Sequence, residues 1–265
     1  MFIVKSYGLA VIFCFITMLC WGSWANTQKL AAKSWRYELF YWDYVIGMVL
    51  FSLVLAFTAG SIGSEGRPFL QDVAQADWNS IGWVLLGAVV FNVSNILLSA
   101  STSIAGMAVA FPLGVGIALV MGVLNNLLLH PVAGQKTCFL WLGVALVVVA
   151  IICNGIASGK VSNEQRDAKQ NRKGIILAAL AGIIMSFFSA LVYNGVDLDN
   201  FASPAAGKLT PYTAMVFFAL GVFLSNLIVN TIVMRKPFVG EPVSYKEYFA
   251  GSMRSEERRV GKECR

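Results

Sequence analysis

Charge is scarce in this 265-residue chain: only 13% of its residues are Asp, Glu, Lys or Arg, against about a quarter in an ordinary soluble domain. Histidine occurs once, at His130 beside Pro131, where it reads as an interfacial residue. There is no His-Glu-x-x-His helix motif and no paired Asp within an apolar run. No nucleophile stands next to a base, so an enzyme is not expected. The five cysteines lack metal-ligand spacing and form no disulfide pattern. Cys14, Cys20, Cys138 and Cys153 lie in apolar runs and read as small core residues. A small-x-small cleavage site is missing around the first apolar run, which therefore reads as a spanning helix, not a cleaved leader. Neither a metal nor a cofactor is expected.

Apolar residues, by contrast, make up 57% of the chain, and the mean hydropathy is +0.69. Runs long enough to span a bilayer, about 20 residues each, lie near 8–26, 41–60, 80–100, 105–129, 138–157, 174–194 and 213–234. The expected class is an all-α polytopic membrane protein with seven transmembrane helices. The third and fourth runs are continuous and must fold back within SASTSIAG, residues 99–106. Gly114, Gly116, Gly122 and Gly143 are expected where helix backbones approach closely. Pro112 is expected to break the fourth helix locally. A retinal-binding protein is excluded, because the last run has no lysine for a Schiff base.

Lys and Arg fall unevenly in alternate connections. One side holds Lys29, Lys33, Arg36, Lys160, Arg166, Lys169, Arg172, Lys173, Arg235, Lys236 and Lys246, while the other holds Lys5, Arg67, Lys136 and Lys208. The positive-inside rule then puts the N-terminus outside and KVSNEQRDAKQNRK, residues 160–173, in the cytoplasm. Topology accounts for this basic charge, and no nucleic-acid partner is expected. NGIASGKVS is one residue short of a phosphate loop and has Val161 where Ser or Thr is needed. Sliding the chain by 168 residues overlays Asn26 on Asn194 and Tyr44 on Tyr212. Such an internal repeat, with five helices per unit, would be inverted. The expected division is a first five-helix repeat (1–157), a cytoplasmic basic linker (158–173) and the first two helices of a second repeat (174–253).

Candidate functional groups cluster at the ends of the first two runs, in CWGSWANTQKL and WRYELFYWDY. Trp21, Trp24, Trp35, Tyr37, Tyr41, Trp42 and Tyr44 form either an interfacial belt or a stacking platform for a flat solute, with Asn26 supplying donor and acceptor. Glu38 and Asp43 are carboxylates that must be hydrated, paired or protonated. Asp43 has Arg36 or Lys33 as a partner, or serves as a proton-coupling site. Asn92 and Asn95 share a helical face and act either as helix–helix glue or as solute contacts. The Asn92-Val93-Ser94 glycosylation pattern lies in a span and is discounted.

LCWGSWANTQKLA, WRYELFYWDYVIG and the later AGMAVAFPLGVGIALVMGVLNN resemble bacterial relatives of the ureide permeases, in the drug/metabolite transporter superfamily near the glucose/ribose porters. The similarity covers roughly residues 8–157, with hydropathy alone agreeing over 174–234. The resemblance implies a ten-helix permease of two inverted five-helix repeats, moving a small polar solute by alternating access, often with protons, in a bacterial inner (plasma) membrane. The solute would be a ureide, nucleobase or sugar. Plant members carry a long central loop with a phosphate-loop-like motif that is missing here. Motif match carries over Trp21, Asn26, Glu38, Tyr41, Trp42, Asp43 and Pro112 as cavity or gating residues. The alternative is a non-transporting membrane receptor or assembly subunit.

Residues 254–265, RSEERRVGKECR, abruptly reverse the composition. In one reading frame they resemble the translation of a short-read sequencing adapter. They are expected to be non-native, with the native sequence interrupted at about Met253, three helices short of the presumed ten.

Overall fold

The computed structural model describes residues 1–31, 35–63, 65–129, 137–161, 168–197, 199–201 and 203–250. His130, Lys33, Lys136, the linker segment 162–167 and the adapter-like 254–265 therefore lie outside the described residues. The described chain is helical: α1 (Tyr7–Ala31), α2 (Tyr37–Phe57), α3 (Phe69–Gln75), α4 (Trp78–Ala105), α5 (Met107–Leu129), α6 (Thr137–Val161), α7 (Ala168–Met185), α8 (Phe188–Tyr193), α9 (Pro211–Arg235) and α10 (Tyr245–Ala250). Among the described residues six helical stretches are long and apolar enough to cross a membrane, and Cys138–Asn154 of α6 forms a shorter apolar seventh. All seven expected spans are present as helices.

The fold-back comes at Gly106, whose φ of +85° lies in the region that favours glycine. It separates α4 from α5 at the end of the stretch expected to turn. Thr210 caps α9 by accepting from the Thr213 N–H, and Pro211 takes the first helical position, where its missing N–H costs nothing.

α4 lies at the centre, packed on α7, α8 and α9, while α5 packs against α7 and α2 against α9. Small residues set these approaches. A Cβ on Gly182 would lie 2.5 Å from the Gly114 carbonyl oxygen, and one on Gly174 would lie 2.5 Å from Ala105 Cβ. Gly116 is closed off by Ile151 of α6. Gly122 and Gly143 meet nothing closer than 3.9 Å, so of the four expected close-approach glycines only Gly114 and Gly116 serve that role.

Two details differ from the sequence expectation. α5 continues through Pro112, which sits in its second turn; a bundle re-satisfies the one backbone bond that proline removes. The sixth run is interrupted at Ser186 and Phe187, between α7 and α8, where Asn125 of α5 donates from Nδ2 to the Ser186 carbonyl (3.3 Å) and hydroxyl (3.0 Å). A side chain from a neighbouring helix thus captures the carbonyl at the break.

Candidate functional site

A cavity of about 210 Å³ opens between α1, α2, α4, α5 and α7. α1 contributes Cys20, Trp21 and Trp24, α2 contributes Tyr44, and α4 contributes Phe91, Asn95 and Leu98; Val115 and Met185 complete the wall. Met185 is the last residue of α7, so the cavity borders the break in the sixth span. Trp24 stacks on Tyr44 with ring centroids 5.7 Å apart and planes 27° apart, and Phe111 meets Trp24 edge-on at 5.9 Å. Asn95 is the amide of this wall; its Nδ2 donates to the Tyr41 hydroxyl at 3.3 Å. Aromatic faces and an amide, with no charged side chain in the lining, suit a flat neutral solute.

The candidates separate into three groups. Trp21 and Asn95 line the cavity, and Tyr41 braces Asn95 from behind. Asn26 does not join them: it is exposed, because α1 meets the bundle along Trp24, Ala25 and Gln28, and Asn26 lies on a different face. Gln28 donates to the Ser99 carbonyl and to Thr102 Oγ1, both at 3.2 Å, which fixes the end of α1 to α4. Asn92 is buried away from the cavity and donates to Ser225 Oγ of α9 at 2.9 Å. Pro112 is half-buried next to Phe111. Asn194 lies in the connection after α8, where its carbonyl accepts from Lys208 Nζ at 2.6 Å.

A third group ties the start of α2 to the segment after α9. Glu38 has no exposure and forms a forked pair with Arg36, Nη2–Oε1 at 2.6 Å and Nε–Oε2 at 3.3 Å. The same guanidinium donates to the carbonyls of Val239 and Glu241. Lys173 Nζ donates to the Phe238 carbonyl at 2.6 Å. Arg36 is thus taken by Glu38, two residues away, and does not pair with Asp43. Asp43 instead accepts from Trp35 Nε1 (3.0 Å) and the Tyr248 hydroxyl (2.7 Å). Desolvation, then the bond to Asp43 and its charge, push the Tyr248 phenol up to about 12, so it remains a donor at neutral pH. Trp42 packs between Phe223 and Tyr245 and donates to Met234 Sδ at 3.4 Å, which makes it part of this tie and not of the cavity.

Four polar residues in this region went unremarked in the sequence. Ser225, Asn226 and Asn230 are buried on α9, and Asn230 Nδ2 donates to the Glu38 carbonyl at 2.9 Å. Gln28 is the fourth. Amides spaced i, i+4 within LGVFLSNLIVNTIVM were the available signal.

Apolar spans enclosing an aromatic and amide cavity, with charged pairs kept to the ends, define a polytopic membrane protein with an uncharged internal pocket. The family model described as ureide permease matches residues 40–173, and the chain belongs to the ureide permease family. It is 24% identical over 302 residues to ureide permease 1 of Arabidopsis thaliana, covering 94% of this chain and 77% of that protein. Ureide permease 2 of Arabidopsis thaliana is 25% identical over 311 residues, with the same coverage. A probable ureide permease A3 of Vigna unguiculata is 24% identical over 316 residues, covering 94% of this chain and 83% of that protein. The similarity therefore reaches well beyond residues 8–157, and these relatives are plant proteins. No solved structure matches the chain.

Proposed function

We propose that this chain is a permease for a small neutral polar solute of the ureide class. The observation that carries the reading is the cavity: a stacked Trp24–Tyr44 wall faces Asn95, beside a broken span. A ureide offers a flat face to the rings and N–H and C=O groups to an amide. Family membership supports the same reading, and broken helices bordering midplane sites are a recurring device of secondary transporters. Transport proceeds by alternating access, and protons are the coupling ion, with Asp43 as the coupling residue. Residues 1–157 form one repeat and 174–253 belong to a second, joined by the linker 158–173. The N-terminus faces outside and the linker the cytoplasm, as the distribution of Lys and Arg supports. The short linker favours a bacterial member of the drug/metabolite transporter superfamily, placed in the inner membrane.

Uptake of labelled allantoin, uracil, glucose and ribose into vesicles, with and without a proton gradient, tests the reading. Allantoin uptake exceeding that of both sugars is expected, and accumulation is expected to rise with an inward proton gradient. No uptake of any of the four refutes the permease assignment. Sugar uptake without allantoin uptake refutes the solute class.

A further inference from the structure

The amide of the cavity wall is held by a residue that is not itself part of the wall. Asn95 lines the cavity with only 3% of its surface exposed, and its Nδ2 donates to the Tyr41 hydroxyl at 3.3 Å. Tyr41 is 1% exposed and lies outside the lining. A phenolic hydroxyl both donates and accepts, so it serves as a partner whichever way the amide is turned. What the contact fixes is the place of the amide and the plane in which it lies.

Tyr41 also backs the aromatic part of the wall. It precedes Tyr44 by three residues on α2, so the two share a helical face, and their ring centroids lie 5.5 Å apart with planes at 43°. Tyr44 in turn stacks on Trp24, and Trp24 meets Phe111 edge-on. The Tyr44 phenol lies beside the same Asn95 amide. One buried side chain is therefore packed on a ring of the wall and bonded to its amide, and it sets the position of each relative to the other. A flat solute lying on that wall presents its polar groups in the plane of its own ring, and a hydrogen bond to them weakens steeply as it departs from straight. An amide free to turn about its side-chain bonds has to be ordered when the solute binds, whereas one that is held beforehand is already ordered.

We propose that Tyr41 is a positioning residue for the solute: its hydroxyl holds Asn95 in the orientation in which the amide meets the edge of a molecule lying on the Trp24–Tyr44 wall. The ring of Tyr41 packs on Tyr44, and the hydroxyl adds the hold on Asn95. The proposal rests on the permease reading above and adds a residue behind the wall on which affinity for the solute depends.

The test is a double-mutant cycle on equilibrium binding of labelled allantoin to the full chain in lipid nanodiscs, with thermal melting of each variant. Tyr41→Phe keeps the ring and removes the hydroxyl, and it is expected to weaken allantoin binding about fivefold, the worth of one hydrogen bond. Asn95→Leu removes the amide at similar volume and is expected to weaken binding at least as much. Added to Asn95→Leu, Tyr41→Phe is expected to change the affinity by less than about twofold, since its effect passes through the amide. A role in packing alone weakens binding equally in both backgrounds, and that result overturns the proposal. Should Asn95→Leu fold poorly or bind too weakly to measure, Asn95→Ser closes the cycle, and Tyr41→Phe decides by itself if its affinity stays within about twofold of wild type, which also overturns the proposal. A wild-type chain that does not bind allantoin refutes the ureide reading and this proposal together, whereas wild-type binding that Tyr41→Phe leaves level overturns the positioning role alone.

Discussion

Arg36→Met isolates the cost of an unpaired charge at the end of the bundle. Glu38 has no exposed side-chain surface, whereas Arg36 is about one-fifth exposed (21%). Shortening Arg36 to an apolar side chain removes both arms of the fork and the donors to Val239 and Glu241. Breaking a buried pair from one side costs about 3–5 kcal/mol, because the remaining ion has lost its partner and cannot reach water. For a chain of this size each kcal/mol corresponds to about 2–4 °C, so the melting midpoint in detergent, followed by tryptophan fluorescence, should fall by roughly 10 °C. The double variant Arg36→Met/Glu38→Leu removes both ions and should recover most of that loss, since an apolar pair of similar volume often equals or exceeds a buried salt bridge. A single variant melting within about 2 °C of wild type, well short of the roughly 6 °C that the lower edges of those scales give, would refute the claim that this pair is dehydrated. A double variant no better than the single would show that the ties to Val239 and Glu241 carry the stability.

Trp24→Ala removes the ring that stacks on Tyr44; losing a stacking partner worth about 1 kcal/mol should weaken solute binding several-fold, measured as displacement of labelled allantoin. Gly182→Leu places a side chain where a Cβ alone would lie 2.5 Å from the Gly114 carbonyl; overpacking at about 1–3 kcal/mol should lower the melting temperature, and an unchanged melt would mean that α5 and α7 separate freely. If Asp43 is the proton-coupling group, Asp43→Asn keeps solute exchange but loses gradient-driven accumulation; retained accumulation removes Asp43 from the coupling path. The Asp197 carboxyl is held below the usual aspartate range, chiefly by the Ala205 N–H (3.0 Å) and also by the N–H groups of Asp199 and Asn200 and the charge of Lys208, although desolvation opposes this. Because the folded value is depressed, its contribution is present above the ordinary aspartate pKa and lost as pH falls through the folded value. Hydrogen exchange at the Ala205 amide should therefore accelerate in Asp197→Asn at neutral pH, and the two proteins should converge in strong acid.

Hydropathy located the spans because hydrocarbon thickness fixes the length of an apolar helix, and the turn before Met107 followed because no bilayer accommodates α4 and α5 end to end. Rotation about each helix axis was not available in the same way. Asn26 and Gln28 are two residues apart on α1, yet one is exposed and the other buried; only the packed neighbours decide which face turns inward. The break after Met185 has neither glycine nor proline at Ser186 and Phe187, and it depends on Asn125, some 60 residues earlier in the chain. Local propensity carries no trace of such a cause. For Asp43 the sequence left Arg36, Lys33 or a proton-coupling role open, because charge was the only criterion it offers; among the described residues its partners are an indole and a phenol from positions 35 and 248.

The placement of charge bears on how such a bundle can bind and release a solute. At the far end from Arg36 a second buried carboxylate, Asp72, takes Arg67 at 3.5 Å and accepts from the N–H (2.8 Å) and hydroxyl (2.9 Å) of Thr210. The α2–α3 connection is thus tied to the start of α9, while Arg36, Glu38 and Asn230 tie the start of α2 to the end of α9. α2 and α9 are bound to each other at both ends. Between these ties the described polar contacts are neutral amides and hydroxyls, whose exchange for contacts with an uncharged solute requires no ion to be stripped of water. α1 is the least anchored wall of the cavity, held near its C-terminal end by Gln28 and by Trp24 against Tyr44 and Phe111. The same ring that closes the cavity also holds its loosest helix, so a solute that displaces Trp24 from Tyr44 loosens that wall as it binds.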